Sequence, residues 1–310
     1  MANILVTGGA GAIGSNLVNH LLSNHHKVMV IDDLSSGCED NLNTQGVFFQ
    51  GSILDDDLLE SIFTKNNIEY VFHLAALFAN QNSVHHPEKD LMINGLGTLK
   101  ILEKSKLYGV KKVIYTSSSC VYGNMQEMEE DKPLAGKLDT PYAVTKLLGE
   151  QYCQFYSNFH GLSTVIVRLF NSYGPGEKPG IYRNVIPNFF YKAMKGESLV
   201  ITGTGKETRD FTFVEDVVQS LYKACFQSTK AGEVFNLGSG EQTSIQELVE
   251  LINKLTCNTA EIIYQPRRTW DHVLHRVANV EKAKCVLGYN SEISIDEGLI
   301  KTYNWLKNND

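Results

Sequence analysis

Gly8, Gly11 and Gly14 stand three residues apart in Thr7-Gly-Gly-Ala-Gly-Ala-Ile-Gly14, between an apolar run at 3–6 and a segment of helical period at 15–24. In that order of strand, loop and helix, Gly8 permits a tight turn and Gly11 lets the backbone approach a pyrophosphate. Gly14 lets helix and strand pack closely, and the helix N-terminus offers free N–H groups to an anion. Asp32 ends the next strand pattern, about 20 residues on, where a carboxylate can accept the hydroxyls of an adenosine ribose. An acid there repels a ribose 2′-phosphate, so the expected cofactor is NAD rather than NADP.

From residue 3 to about 168, short β-branched runs at 3–6, 27–31, 47–50, 70–74, 112–116 and 164–168 alternate with helical patterns that include 15–24, 58–65, 91–107 and 143–158. Such alternation marks a parallel sheet covered on both faces. The expected fold is therefore α/β, a doubly wound parallel (Rossmann) sheet with its ligand crevice at the C-terminal ends of the strands. The glycine- and proline-bearing stretch 172–180 breaks the rhythm before a helix at about 186–195, and 233–237 reads as another buried strand. Residues 1–170 are expected to form the NAD-binding domain, rejoined by about 212–238. A smaller, interleaved substrate domain is expected from 171–211 and 239–310, with helices at 244–255 and 295–307.

A chain of 310 residues has room for two such domains, and its net charge of -7 provides no basic surface for nucleic acid or anionic lipid. No apolar run approaches the roughly 20 residues that cross a bilayer, and the N-terminus has no signal-peptide pattern. The protein is thus expected in the cytoplasm, without nucleic-acid or membrane partners. Six cysteines, Cys38, Cys120, Cys153, Cys225, Cys257 and Cys285, form no C-x-x-C pair, and His85, His86, His272 and His275 show no ligand spacing. Neither a disulfide framework nor a metal site is expected.

Tyr142 and Lys146 are four apart and share one face of a helix. A phenol with a reference pKa near 10 can serve as a base at neutral pH only beside positive charge, which the Lys146 ammonium and an oxidised nicotinamide supply, so Lys146 is expected to lower the pKa of Tyr142. Ser118, at the end of the fifth strand pattern, can bond the same substrate oxygen. Guanidinium groups at Arg183, Arg209 and Arg276 suit a diphosphate, while Arg267 and Arg268 are expected to face solvent.

Taken together with Asp32, His73-Leu-Ala-Ala76, Asn94 and Tyr142-x-x-x-Lys146, the Gly-x-x-Gly-x-x-Gly loop resembles the extended short-chain dehydrogenase/reductases. Within them the chain resembles, over nearly its whole length, the nucleotide-sugar epimerase and dehydratase family, closest to UDP-hexose 4-epimerases. The resemblance implies NAD contacts at Gly8, Gly11, Ala12, Ile13, Asp32, Asp33, Ser36, Gly37, Ser52, Ile53, Leu74, Ala75, Ala76, Asn94, Thr116, Tyr142, Lys146 and Phe170. It implies substrate contacts at Ser118, Ser119, Cys120, Tyr142, Asn171, Asn184, Arg209 and Arg276, and catalysis by Ser118, Tyr142 and Lys146. Ser52 departs from the aspartate the family often carries there, which weakens the expected bond to the adenine amine.

The implied cycle has Tyr142 take the proton of a sugar 4-hydroxyl as that carbon is oxidised, with reduction on the opposite face giving the C4 epimer. Ser119 and Cys120 stand where dehydratases carry an acidic pair and related decarboxylases a glutamate, which disfavours those reactions, with a UDP-glucuronate decarboxylase or 4-epimerase kept as an alternative. Asn171, where glucuronate 4-epimerases tend to have threonine, favours a neutral hexose or N-acetylhexosamine. Cys120 also matches the cysteine of GDP-fucose synthase and GDP-mannose 3,5-epimerase, leaving a 3,5-epimerase or reductase as an alternative. Outside enzymes, an NAD-sensing binding protein is the remaining possibility, although a sensor needs none of Ser118, Tyr142 and Lys146. The resemblance further implies a homodimer formed through the helices at 91–107 and 143–158.

Overall fold

The computed structural model describes residues 1–309. In chain order its first half contains β1 (Asn3–Thr7), α1 (Ala12–Ser23), β2 (Lys27–Asp32), β3 (Val47–Gln50), α2 (Asp56–Asn66), β4 (Tyr70–His73), α3 (Asn80–His85), α4 (Pro87–Asp90), α5 (Thr98–Leu107), β5 (Lys112–Ser118), α6 (Pro141–His160) and β6 (Thr164–Leu169). The second half adds β7 (Asn171–Tyr173), α7 (Val185–Met194), β8 (Leu199–Thr202), β9 (Thr208–Arg209), β10 (Phe211–Phe213), α8 (Val214–Phe226), β11 (Glu233–Leu237), β12 (Thr243–Ser244), α9 (Ile245–Thr256), β13 (Ile262–Gln265), β14 (His275–Arg276), α10 (Glu281–Leu287) and α11 (Ile295–Asn308).

Seven strands pair in parallel in the order β11-β6-β5-β4-β1-β2-β3, which is the doubly wound sheet expected from the alternation. The chain runs outward from β1 to β3, then returns to β4 on the other side of β1. This reversal opens a crevice above the C-terminal ends of β1 and β4. Because side chains alternate across a strand, Ile4 and Val6 enter one core with Leu17, Val18 and Phe72, whereas Leu5 enters the other with Ile62, Phe63 and Val113. The first core continues without a break into Phe189, Phe190, Leu248 and Ile252, so α7 and α9 are welded to the sheet rather than tethered to it. No helix among the described residues is long and apolar enough to cross a membrane.

Two helix starts depart from the sequence pattern. α1 begins at Ala12 rather than 15, because Gly11 adopts an extended N-cap conformation and Gly14 becomes part of the first turn. The segment expected as one helix over 91–107 is a π-helical turn over Leu91–Gly97 followed by α5. Wide turns of this kind gather at functional sites, and this one buries Asn94. At α6 the structure supplies what the sequence encodes: Thr140 caps the helix by accepting from the Ala143 N–H, and Pro141 fills the first turn.

Candidate active site

Gly8 has φ of +73, and a methyl there would lie 2.7 Å from the amide nitrogen of Ala75. A methyl on Gly14 would lie 2.1 Å from the Gly8 carbonyl oxygen. Gly11 is different: its φ of -74 and ψ of 171 suit any residue, and a methyl would meet nothing nearer than that same oxygen at 3.3 Å. α1 starts with no capping side chain and no acid in its first turn, which leaves its positive end available to an anion. A bare backbone at Gly11 in front of an uncapped helix fits a pyrophosphate, so these residues suit NAD.

The Asp32 carboxylate accepts the Ala10 N–H and the Leu34 N–H, each at 2.9 Å, and thereby ties the glycine loop to the end of β2. Burial pushes its pKa up, and the two backbone bonds pull it back. Asp33 is spent on its own turn, accepting the Ser35 N–H and hydroxyl. Gly37 passes close to Asp32, and Ser36 accepts from Arg183 through its carbonyl. Arg183 therefore clamps the loop after β2 instead of pairing with Arg209 or Arg276. The Ser52 hydroxyl accepts the Leu54 N–H at 3.2 Å, and the Ile53 side chain packs into the core against Gly97.

Between β1 and α5 the polar groups form an oriented chain. The Ala75 N–H donates to Thr7 Oγ1 at 3.1 Å, Thr7 meets His73 Nδ1 at 2.7 Å, and His73 Nε2 meets Thr98 Oγ1 at 2.9 Å. Thr98 in turn donates to the Asn94 carbonyl. Complete burial lowers the His73 pKa to about 3, so the ring is neutral and can serve as a donor at one nitrogen and an acceptor at the other. This chain fixes the backbone of Leu74 and Ala75, with Ala76 following, along one wall of the crevice. Asn94 is 1% exposed. Its amide bonds the Leu77 N–H and Asp90, which ties it to the backbone just beyond Ala76.

Ser118, Tyr142 and Lys146 meet as the sequence predicts. The Ser118 hydroxyl accepts the Cys120 N–H at 3.2 Å and lies near enough to the Tyr142 phenol to favour its ionised form. The Lys146 ammonium donates to the Thr116 carbonyl at 2.8 Å and lies 5.7 Å from the centre of the Tyr142 ring. The expected lowering of the Tyr142 pKa by Lys146 is corrected here: burial pushes the phenol well above its usual value, the Asp90 charge adds to the rise, and Ser118 is the group that opposes it. Lys146 is pulled down by burial to about 8.

Cys120 faces the crevice with Asn80 Nδ2 and Arg276 Nη1 each 3.4 Å from its sulfur, while Ser119 is buried. Arg276 and Arg209 are register partners in β14 and β9, so their guanidinium groups rise from adjacent strands. Burial lowers the pKa of Arg209, the Asp271 carboxylate 3.6 Å away opposes that, and the neighbouring Arg276 charge adds to the lowering. Arg276 Nε is buried without a partner. Arg267 reaches Glu207 and Asp271, and Arg268 lies over Trp270, so both have local roles. Asn171 bonds the Asp210 carbonyl, and Asn184 bonds Glu177 and the Ser172 carbonyl. Phe170 is buried at the end of β6. Among the described residues no cluster of His, Cys, Asp or Glu is arranged to hold a metal.

Sequence reasoning did not single out Asn80, Asp90, Thr145 or the pair Glu150 and Arg168. The last had a signal: Glu150 continues the i, i+4 stripe of Tyr142 and Lys146. Its carboxylate holds Arg168 through bonds of 2.9 and 2.7 Å, accepts Ser117, and leaves Arg168 to donate to Tyr122.

The sequence model of the NAD dependent epimerase/dehydratase family matches residues 4–238. Epimerase Mth375 of Methanothermobacter thermautotrophicus superposes with a TM-score of 0.95 at 46% identity, over 99% of this chain and 93% of that one. UDP-glucose 4-epimerase of Thermotoga maritima, solved with UDP-glucose, superposes at 0.94 with 37% identity and covers 99% of both chains. In sequence, UDP-N-acetyl-alpha-D-glucosaminuronate decarboxylase of Bacillus cytotoxicus is 34% identical over 98% of this chain and 97% of its own. The glycine loop, the tyrosine–lysine pair and these likenesses converge: the chain is an enzyme of the NAD-dependent epimerase/dehydratase family.

Proposed function

We propose that the enzyme interconverts the C4 epimers of a UDP-linked hexose or N-acetylhexosamine. The observation that carries this reading is the meeting of Ser118, Tyr142 and Lys146 at the end of β5, where the turn that follows supplies Ser119 and Cys120 and no carboxylate. Loss of a carboxyl or a 6-hydroxyl calls for an acid–base group that this end of the crevice does not present.

The chemistry NAD supplies when bound is reversible oxidation at carbon. Tyr142 takes the proton from the sugar O4 and later returns it, with Ser118 steadying the shared proton and Lys146 standing 5.7 Å from the ring centre. Arg209 and Arg276 hold the diphosphate, so the hexosyl group can present its other face while the nucleotide stays fixed. A homodimer through α5 and α6 belongs to the same proposal. Its support is the apolar surface of those helices and the adjoining turn, where Leu107 is 70%, Phe159 74% and Leu91 53% exposed.

Proton NMR of the purified protein with UDP-glucose, UDP-N-acetylglucosamine, UDP-glucuronate and GDP-mannose, each without added cofactor, tests the reading. A C4 epimer formed from a neutral UDP-sugar is the expected result. Carbon dioxide released from UDP-glucuronate overturns it, and solvent deuterium entering C3 or C5 reassigns the chemistry to Cys120.

A further inference from the structure

Asp90 ends α4 and has no exposed surface. Its Oδ2 accepts the Thr145 hydroxyl at 2.7 Å and its Oδ1 accepts Asn94 Nδ2 at 2.7 Å, so both bonds come from neutral groups. A carboxylate buried on neutral donors is costly and calls for a compensating charge nearby. Thr145 immediately precedes Lys146 on α6. Lys146 is itself 3% exposed, and its ammonium bonds a carbonyl, not an anion.

The titratable groups around that ammonium come from five elements. α6 contributes Tyr142, Glu150 and Cys153, β5 contributes Tyr115, β4 the neutral His73, the turn after β5 Cys120, and α4 Asp90. Glu150 is already held by Arg168. Asp90 is the anion among them without a bonded cation, and it is the largest influence keeping Lys146 protonated against burial.

We propose that Asp90 is a positioning residue of the reaction: gripped by Thr145 behind α6, its carboxylate keeps Lys146 charged beside Tyr142. This rests on the reading of Tyr142 and Lys146 as the reacting pair. The same carboxylate braces Asn94, which holds the Leu77 backbone, so one anion serves both the catalytic helix and the crevice wall.

Asp90→Asn keeps the shape and removes the charge. In NAD-bearing protein with carbon-13-labelled lysine, the Lys146 signal is identified by its absence from Lys146→Met. Asp90→Asn is expected to make that signal deprotonate about one pH unit lower, a roughly tenfold weaker hold on the proton. The alkaline fall of kcat moves down with it while KM stays nearly constant, and Asp90→Glu restores the midpoint. Thr145→Val gives a second measurement: without that bond Asp90 takes up a proton more readily, so the Lys146 midpoint moves in the same direction by less. An unchanged Lys146 titration in folded Asp90→Asn or Thr145→Val protein overturns the proposal, whatever happens to the rate. A shifted titration in a protein that turns over no sugar nucleotide sustains it and removes the epimerase reading instead.

Discussion

Gly11→Ala separates the folding role of the glycine loop from its binding role. The backbone at Gly11 is extended, with φ of -74 and ψ of 171, so alanine adds no strain there. The new methyl meets only the Gly8 oxygen at 3.3 Å, a contact that a shift of a few tenths of an ångström relieves. Replacing glycine at such a compatible position stabilises a protein by about 0.4–1 kcal/mol through the unfolded chain, so the variant should melt no lower than its parent when both are stripped of cofactor. The methyl also fills the space in front of α1 that a pyrophosphate needs. Overpacking a close contact costs about 1–3 kcal/mol, which corresponds to NAD binding weaker by about 5- to 150-fold. The assay is the NAD released on denaturing the purified protein, alongside the melting curve. Gly14→Ala is the contrast, since its methyl would stand 2.1 Å from the Gly8 oxygen and must lower stability itself. If Gly11→Ala retains a full complement of NAD and normal turnover, the pyrophosphate does not pass over Gly11 and the reading of the loop is wrong.

Tyr142→Phe removes the hydroxyl that moves the proton at O4; turnover should fall by at least about 100-fold while bound NAD, measured after denaturation, stays at the parental level. Glu150→Gln leaves the Arg168 guanidinium buried without its counter-charge. With the two side chains only 1% and 4% exposed, the loss should be about 3–5 kcal/mol, seen as a lower melting temperature, and replacing both residues by Leu and Met should recover much of it. The pH dependence follows from Lys146, whose pKa is lowered by burial to about 8. It acts while protonated, so kcat should decline as pH rises through about 8, and a flat profile up to pH 10 removes Lys146 from the proton inventory.

The strands of the first half were legible because each is a short β-branched run bounded by breakers, and burial on both faces leaves little else such runs can form. β11 was legible for the same reason. The short strands β7 to β10 and β12 to β14 were not, since they lie outside the strand–helix alternation and their partners lie far along the chain, as Arg209 and Arg276 do. The π-helical turn was hidden because Leu91–Gly97 has an ordinary helical pattern. At its centre Asn94 accepts the Leu77 N–H, a contact from another segment that the local pattern does not encode. In the site, Ser118, Tyr142 and Lys146 could be read from spacing and context, whereas Asn80 beside Cys120 could not, because 40 residues separate them. The misjudged direction of the Tyr142 pKa has a single cause: spacing reveals a neighbouring ammonium but not how deeply the phenol is buried.

The place of β11 has a consequence for how the protein is made. Its backbone closes the edge of β6, pairing Glu233 with Val165 through to Leu237 with Leu169, yet it is synthesised after β7 to β10 and the helices between them. On the ribosome, β6 therefore keeps an open edge while the intervening segment emerges. Open strand edges invite pairing with other chains, and partly emerged domains are where aggregation begins. A nascent chain halted just before residue 233 should be a better chaperone client and protease substrate than one halted beyond 237 with room to clear the exit tunnel. The cofactor-binding half thus cannot be completed before much of the other half exists, and a gene cut near residue 170 yields a sheet with a missing neighbour rather than a module.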